Sequence, residues 1–394
     1  MKNVLVLQSG GPTAVINSSL YGVITEATKH KDVFGTIFGS YYGIDGVIDD
    51  NLVDLSSFND DNLLYTPGAI IGSTRHKLSD DLSDPIYSRI LETLKKHNIG
   101  YFYLIGGNDS MDSANKIHEY LSSISYDCVV LGIPKTIDND LVGIDHTPGY
   151  GSAIKYIANS LRLIKQDTLC YKKGRVTIVE VMGRDAGWLA AGAKLSGVSD
   201  MILVPEVPFN KDLFLEKVEE IYKKNSSVLV VVSEGIKDKE GNYISASLYQ
   251  NEHDKFSHTQ LGGAAIALVD MVSSDLHLSV RAIELNLPQR CFSPLSSLTD
   301  INEAISCGKE TVIRSLSNIS GKMITIKRNK KGEITFDVIP LSLVANTVRY
   351  LDDKYIEGNF DISNTFIDYA MPLIQGEINP KYENGLIVLS KITK

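Results

Sequence analysis

In "PKTIDND" (134–140) two carboxylates, Asp138 and Asp140, stand two residues apart behind Lys135. That spacing lets one acid reach a substrate while the other holds metal-bound water or the loop itself. A carboxylate at a strand end can accept a hydroxyl proton during phosphoryl transfer, a reaction governed mainly by positioning and charge stabilisation. An Asx-turn network would account for one Asp, but not for the ammonium beside it. Two glycine corners supply the complementary feature. "SGGP" (9–12) and "GGNDS" (106–110) each lead into a helix-like segment, where unpaired backbone N–H groups can face an anion. Neither has the full Walker spacing, so a P-loop NTPase is not indicated. "MGRDAG" (182–187) adds Arg184 at the start of an expected helix, with a planar fork suited to phosphate or developing charge. "SEG" (233–235) adds Glu234, fit to accept from sugar hydroxyls, and "SVRAIELNLPQR" (279–290) adds Arg281 and Arg290.

Each corner also has a plain structural reading. Glycine serves a tight turn, Ser, Asp or Asn caps a helix, Arg184 pairs with Asp185, and Arg281 or Arg290 is a solvated charge. What unites them is position. Short apolar runs precede the corners: "VLVL" (4–7), "YFYLI" (101–105), "CVVLGI" (128–133), "VTIVEV" (176–181) and "VLVVV" (228–232). Runs of that length, alternating with helix-like segments, read as parallel strands buried on both faces in an α/β fold. In such folds ligands bind beyond the carboxyl ends of the strands, where these corners lie. A Gly/Pro-rich passage beginning at Asn139, "NDLVGIDHTPGYGSA", interrupts the pattern as a candidate crossing between domains. "KMITIKRNKKGEITFDVI" (322–339) reads as a hairpin.

The chain has 394 residues, beyond the roughly 250–300 at which single cores stop growing, so two domains are expected. A net charge of -9 argues against a nucleic-acid or anionic-membrane partner but permits a local basic pocket. No apolar run approaches the roughly 20 residues of a bilayer span, and "MKNVLVLQSGG" enters a strand pattern with no signal-peptide cleavage region. A cytoplasmic protein is expected. Cys128, Cys170, Cys291 and Cys307 form no CxxC pair and read as reduced thiols.

Taken in order, "SGGP", "GSTR" (72–75), "GGNDS", "PKTIDND", "GYGSA" (149–153), "VEVMGRDAGW", "SEG" and "QR" resemble the phosphofructokinase family over roughly residues 1–300. The resemblance implies two Rossmann-like domains with mainly parallel sheets and an active site in the interdomain cleft. It places residues 1–149 plus about 289–345 in a phosphate-donor domain. Residues 150–288 plus about 346–394 would form a sugar-phosphate domain. Gly11, Arg75 and Ser110 would serve the donor, with Arg75 facing the transferred phosphoryl group. Asp138 would be the general base for the sugar 1-hydroxyl, with Thr136 and Ile137 along the substrate. Met182, Gly183 and Arg184 would contact the sugar phosphate, Glu234 its hydroxyls and Arg290 its 6-phosphate. Arg175 and Arg281 match arginines lent across a subunit interface, which implies a homodimer or homotetramer with shared sites. Mg2+ is the implied cofactor.

The resemblance also bears on Asp109, a negative charge in a loop whose glycines suit phosphate. ATP-using members commonly have glycine at the positions of Asp109 and Lys135, whereas pyrophosphate-using members resemble "GGNDS" and "PKTIDND" at both. A carboxylate in the room of a nucleotide's α-phosphate would repel ATP, while Lys135 neutralises departing phosphate. The implied reaction is reversible transfer from pyrophosphate to fructose 6-phosphate, a glycolytic and gluconeogenic step. Three departures stand out. Asn108 replaces an Asp often associated with the metal, Leu287 replaces a common His or Tyr in the sugar-phosphate contact, and "CFSP" follows Arg290 in place of two glycines. An ATP-dependent phosphofructokinase, a kinase acting on NAD or a lipid, and a catalytically silent sugar-phosphate sensor are the competing readings.

Overall fold

The computed structural model describes residues 1–245 and 262–392. Eleven strands build two sheets: β1 Lys2–Gln8, β2 Phe34–Ser40, β3 Leu52–Asp54, β4 Ile99–Gly106, β5 Val129–Pro134, β6 Val176–Val181, β7 Met201–Leu203, β8 Val228–Ser233, β9 Val280–Glu284, β10 Lys322–Arg328 and β11 Ile334–Pro340. The larger sheet runs β11-β10-β5-β4-β1-β2-β3, the smaller β7-β8-β6-β9. Every pairing in the smaller sheet is parallel, and only the two edge pairs of the larger one, β10 with β11 and β2 with β3, are antiparallel. All five apolar runs form central parallel strands. β5, β6 and β8 are buried at every position, so each needs apolar side chains on both faces. The 322–339 hairpin forms, with Ile326 opposite Phe336.

The chain leaves the larger sheet after β5 and enters the smaller at β6, through the Gly/Pro-rich passage and the helix Tyr150–Leu169. It returns through the helix Leu298–Leu316, which lies against Ile16–Ala27. Their approach depends on two glycines: a Cβ at Gly22 would fall 2.1 Å from the Ile305 carbonyl oxygen, and one at Gly308 2.1 Å from that of Ser19. Asp300 on the returning helix caps the crossing helix, accepting from the N–H groups of Gly149 and Ser152 at 2.9 Å each. Those backbone donors have no intrahelical partner, so a buried carboxylate answers them and fastens the two halves together. Among the described residues no helix is long and apolar enough to cross a membrane.

Candidate active site

Five corners converge on one cavity of about 470 Å³ between the carboxyl ends of the two sheets. From the larger sheet, Gly10–Pro12 follow β1, Gly107–Ser110 follow β4, and Lys135–Asp138 with Asp140 follow β5. From the smaller, Met182–Ala186 follow β6 and Glu234 follows β8. Arg75 and Arg290 complete the meeting of charges. Of the residues singled out in the sequence, Gly11, Arg75, Asn108, Asp109, Ser110, Lys135, Thr136, Ile137, Asp138, Met182, Gly183, Arg184, Glu234 and Arg290 all line this cavity.

The glycine corner after β1 is where the cations gather. Lys135 is 3% exposed and its Nζ donates to the Gly11 carbonyl at 2.8 Å. A Cβ at Gly11 would come within 3.0 Å of Arg290 Nη1 and 4.0 Å of Arg75 Nη2. A side chain there would crowd the Arg290 guanidinium while leaving Arg75 at ordinary contact distance. Arg290 thus sits against the corner after β1 while lining the cavity. Burial and the neighbouring Arg75 pull the Arg290 guanidinium down from its ordinary value. Burial likewise pulls the Lys135 ammonium down to about 8. Concentrated, poorly solvated positive charge of this kind is relieved by an anion.

Facing it are the acids. Asp138 is fixed by a Thr136 turn: its N–H donates to Thr136 Oγ1 at 3.1 Å, and that hydroxyl donates to Asp138 Oδ2 at 3.4 Å. Burial pushes its carboxyl up, against the pull of Arg184 and Lys135. Asp140 is pushed up to about 7 by burial and then by Asp138, and Glu234 to about 7 by burial and then by Asp138. Acids with raised proton affinity are suited to collect a proton near neutral pH. The Asp109 carboxylate lies in the first turn of the helix Asn108–Ser123. Among the described residues no group donates a hydrogen bond to it, and it faces the cavity at the positive end of the helix dipole.

Arg184 does not start a helix, as the sequence suggested. It occupies a left-handed turn at φ +53°, and the helix begins at Trp188. Its N–H donates to Glu234 Oε1 at 3.2 Å, so the turn aims the corner at the "SEG" acid. Gly235 makes that possible, since a Cβ there would lie 1.6 Å from the Arg184 carbonyl oxygen. Asp185 pairs with Lys237 at 2.6 Å and accepts from the Tyr243 hydroxyl at 2.8 Å, away from the surface pairing considered for Arg184. The "QR" motif divides its work: Gln289 Oε1 accepts from Met182 N–H at 3.2 Å, while Arg290 reaches the cavity.

Three expected residues lie elsewhere. Arg175 and Arg281 line a separate cavity of about 240 Å³ with Leu163 and Thr177. Leu287 is 55% exposed on the approach to Arg290 and does not line the site. Conversely, Lys77, Asp185, Asn346 and Val348 line the main cavity without having been singled out for it. Lys77 follows Arg75 by two residues, a signal that was present. "VANTVRY" carries none.

Asn108 arranges an acid more directly than it offers a metal ligand. Its Oδ1 accepts from the Asp109 N–H at 2.8 Å and its Nδ2 faces Asp140 Oδ2 at 3.4 Å. Among the described residues no three His, Cys, Asp or Glu side chains form a ready metal cage.

An anion-attracting cleft with a poised carboxylate, set between two parallel α/β sheets, defines a phosphoryl-handling enzyme of the doubly wound class. The chain belongs to the phosphofructokinase family, whose model matches residues 3–311. A pyrophosphate–fructose 6-phosphate 1-phosphotransferase of Halomonas elongata is 36% identical over 406 aligned positions, covering 100% of this chain and 96% of the relative. That of Methylococcus capsulatus is 34% identical over 98% of this chain and 94% of its own length. The crystal structure of a pyrophosphate-dependent phosphofructokinase from Marinobacter aquaeolei superposes with a TM-score of 0.88 at 35% identity, covering 100% of this chain and 98% of that one.

Proposed function

We propose that the chain transfers a phosphoryl group from pyrophosphate to the 1-hydroxyl of fructose 6-phosphate, giving fructose 1,6-bisphosphate and orthophosphate. The observation that carries the donor is the pairing, in one cavity with Asp138, of Asp109, which no described residue neutralises, with a buried Lys135 fastened to Gly11. Asp138 takes the hydroxyl proton as the sugar oxygen forms its bond to phosphorus. The bridging P–O bond of pyrophosphate breaks, and its electron pair leaves with orthophosphate. Lys135 and Arg75 neutralise charge on the donor side. Glu234 and Arg184 orient the sugar phosphate, and Arg290 spans both sides.

Mg2+ fits the residues present. It is ordinarily held by one or two carboxylates plus substrate phosphates, and Asp140 is a partly buried acid that lines the cavity beside Asp138. Asp140, steadied by Asn108, would hold it together with donor oxygens. Bound there, the ion would neutralise phosphate charge.

The test is a coupled assay with fructose 6-phosphate and Mg2+, offering pyrophosphate and ATP separately. Turnover with pyrophosphate is expected to exceed that with ATP by about 10²-fold or more, since rejecting a desolvated like charge is worth several kcal/mol. A preference for ATP would overturn the donor reading.

Arg175 and Arg281 enter the same proposal through a second copy. They lie together at the β6–β9 edge, where Thr177 pairs with Arg281, outside the chain's own cavity. In a symmetric assembly they complete the partner's sugar-phosphate site. Mixing an Asp138→Asn protein with an Arg175→Ala/Arg281→Ala protein, after dissociation and reassembly, should restore about a quarter of wild-type turnover in a two-fold dimer. If the mixture stays as inactive as its components, sharing is refuted.

A further inference from the structure

The base loop has a support that none of its own motif residues supplies. Between Asp138 and Asp140 the backbone turns through Asn139 at φ +55°, a left-handed conformation that Asn tolerates better than most side chains but does not itself enforce. Its carbonyl oxygen accepts twice from one guanidinium, from Arg349 Nε at 3.1 Å and from Nη2 at 2.7 Å. Arg349 Nη1 donates to the carbonyls of Ile144 and of Asp145, the latter at 2.9 Å. The Arg349 backbone N–H donates to the Asp140 carbonyl at 2.8 Å. Four carbonyls of the passage after β5 therefore converge on one residue from the far end of the chain.

The same residue is referenced to the other sheet. Its guanidinium carbon sits 4.6 Å from the centroid of the Trp188 ring, and the Trp188 Nε1–H donates to the Arg349 carbonyl at 3.0 Å. Trp188 is 2% exposed and follows the "MGRDAG" corner directly. One planar cation thus spans the base loop of the larger sheet and the sugar-phosphate corner of the smaller. Two nearby residues of its segment, Asn346 and Val348, reach the cavity wall itself.

We propose that Arg349 is a positioning residue for phosphoryl transfer: it fixes the turn through Asn139 and so sets the direction in which the Asp138 and Asp140 carboxylates face the cavity. Tyr369 assists, since its hydroxyl accepts from Asn139 Nδ2 at 2.9 Å and donates to the Asp145 carbonyl at 2.9 Å. Arginine suits the task because its donors lie in one rigid plane; a lysine ammonium keeps the charge but cannot reach all these carbonyls together. This assignment rests on Asp138 being the base.

The deciding variant is Arg349→Lys, assayed beside wild type in both directions and followed by hydrogen exchange. The expected result is a fall in kcat of tenfold or more with both KM values within threefold, because bound substrates are held by other residues. Exchange in peptides spanning 138–147 should quicken, and emission from Trp188, the chain's one tryptophan, should shift. A fall of less than tenfold per folded molecule, or KM values rising in step with the loss, overturns the proposal. Should Arg349→Lys not accumulate as folded protein, Tyr369→Phe is read by the same criteria. Failure of the functional reading is separate: wild type would not turn over fructose 6-phosphate with pyrophosphate. In that case unchanged exchange across 138–147 in the variant still overturns the role of Arg349.

Discussion

Asp138→Asn lowers kcat by about 10²–10⁴-fold, the range that a positioned general base supplies, while the KM for each substrate moves little. The amide keeps the shape of the carboxylate, and its Oδ1 can still accept from the Thr136 hydroxyl that now fixes Asp138. What disappears is the site for the sugar hydroxyl's proton. Rapid-quench or coupled kinetics in both directions provide the check, because microscopic reversibility requires the same residue to return the proton in reverse. Turnover within a few-fold of wild type would reject Asp138 as the base.

The same substitution should leave the ligand-free protein as stable as wild type or more so. Burial raises the Asp138 carboxyl above its ordinary value, so the folded chain binds that proton more tightly than the unfolded chain does. The sign follows from linkage: stability falls as pH rises from the unfolded carboxylate range, about 4, towards the folded value. Asp140 and Glu234, each pushed up to about 7, act in the same direction. The stability advantage of Asp138→Asn therefore widens as pH climbs through that window, as melting curves in EDTA would show. A site that gains stability when its acid is neutralised has traded folding energy for chemistry.

Much of this was legible in the sequence because the α/β architecture puts function at strand ends, and strand ends are local. "PKTIDND", "GGNDS" and "SGGP" each follow an apolar run, and each lands in the cavity. The 322–339 hairpin was equally local, a period-two pattern broken by a charged glycine turn. Three features were not legible, for different physical reasons. Arg184 precedes a short helix, but Gly183 at φ +132° and the acid at Glu234 hold it in a left-handed turn that propensity does not foresee. Asn346, Val348 and Arg349 arrive at the site through packing of the last segment on Trp188, and no spacing within "VANTVRY" records that contact. Arg175, just before β6, and Arg281, which pairs with Thr177 from β9, share one cavity although 106 positions separate them, a proximity set by sheet register.

Asp109→Gly combined with Lys135→Gly should erase or invert the donor preference. Asp109 now places a negative charge at a helix N-terminus, the position a donor phosphate would otherwise take, and no described residue neutralises it. Removing it takes away both the bulk and the repulsion that oppose a nucleotide's α-phosphate. Lys135 acts in the opposite sense. With its ammonium at about 8 it remains largely protonated at neutral pH, bonded to the Gly11 carbonyl and with donors left for an anion. Losing a charge-assisted bond to phosphate costs about 1.5–3 kcal/mol, or roughly 10–150-fold. Added to a comparable gain for ATP from Asp109→Gly, this shifts the ratio of kcat/KM for ATP over pyrophosphate by about 10²–10⁴-fold. The single variants separate the terms: Asp109→Gly should act chiefly by admitting ATP, and Lys135→Gly chiefly by weakening pyrophosphate turnover. The glycine at 135 also strips a partner from the Gly11 carbonyl, so a lower melting temperature is expected and turnover must be scaled to folded protein. A double variant that keeps pyrophosphate turnover within a few-fold and gains nothing with ATP would show that other walls of the cavity choose the donor.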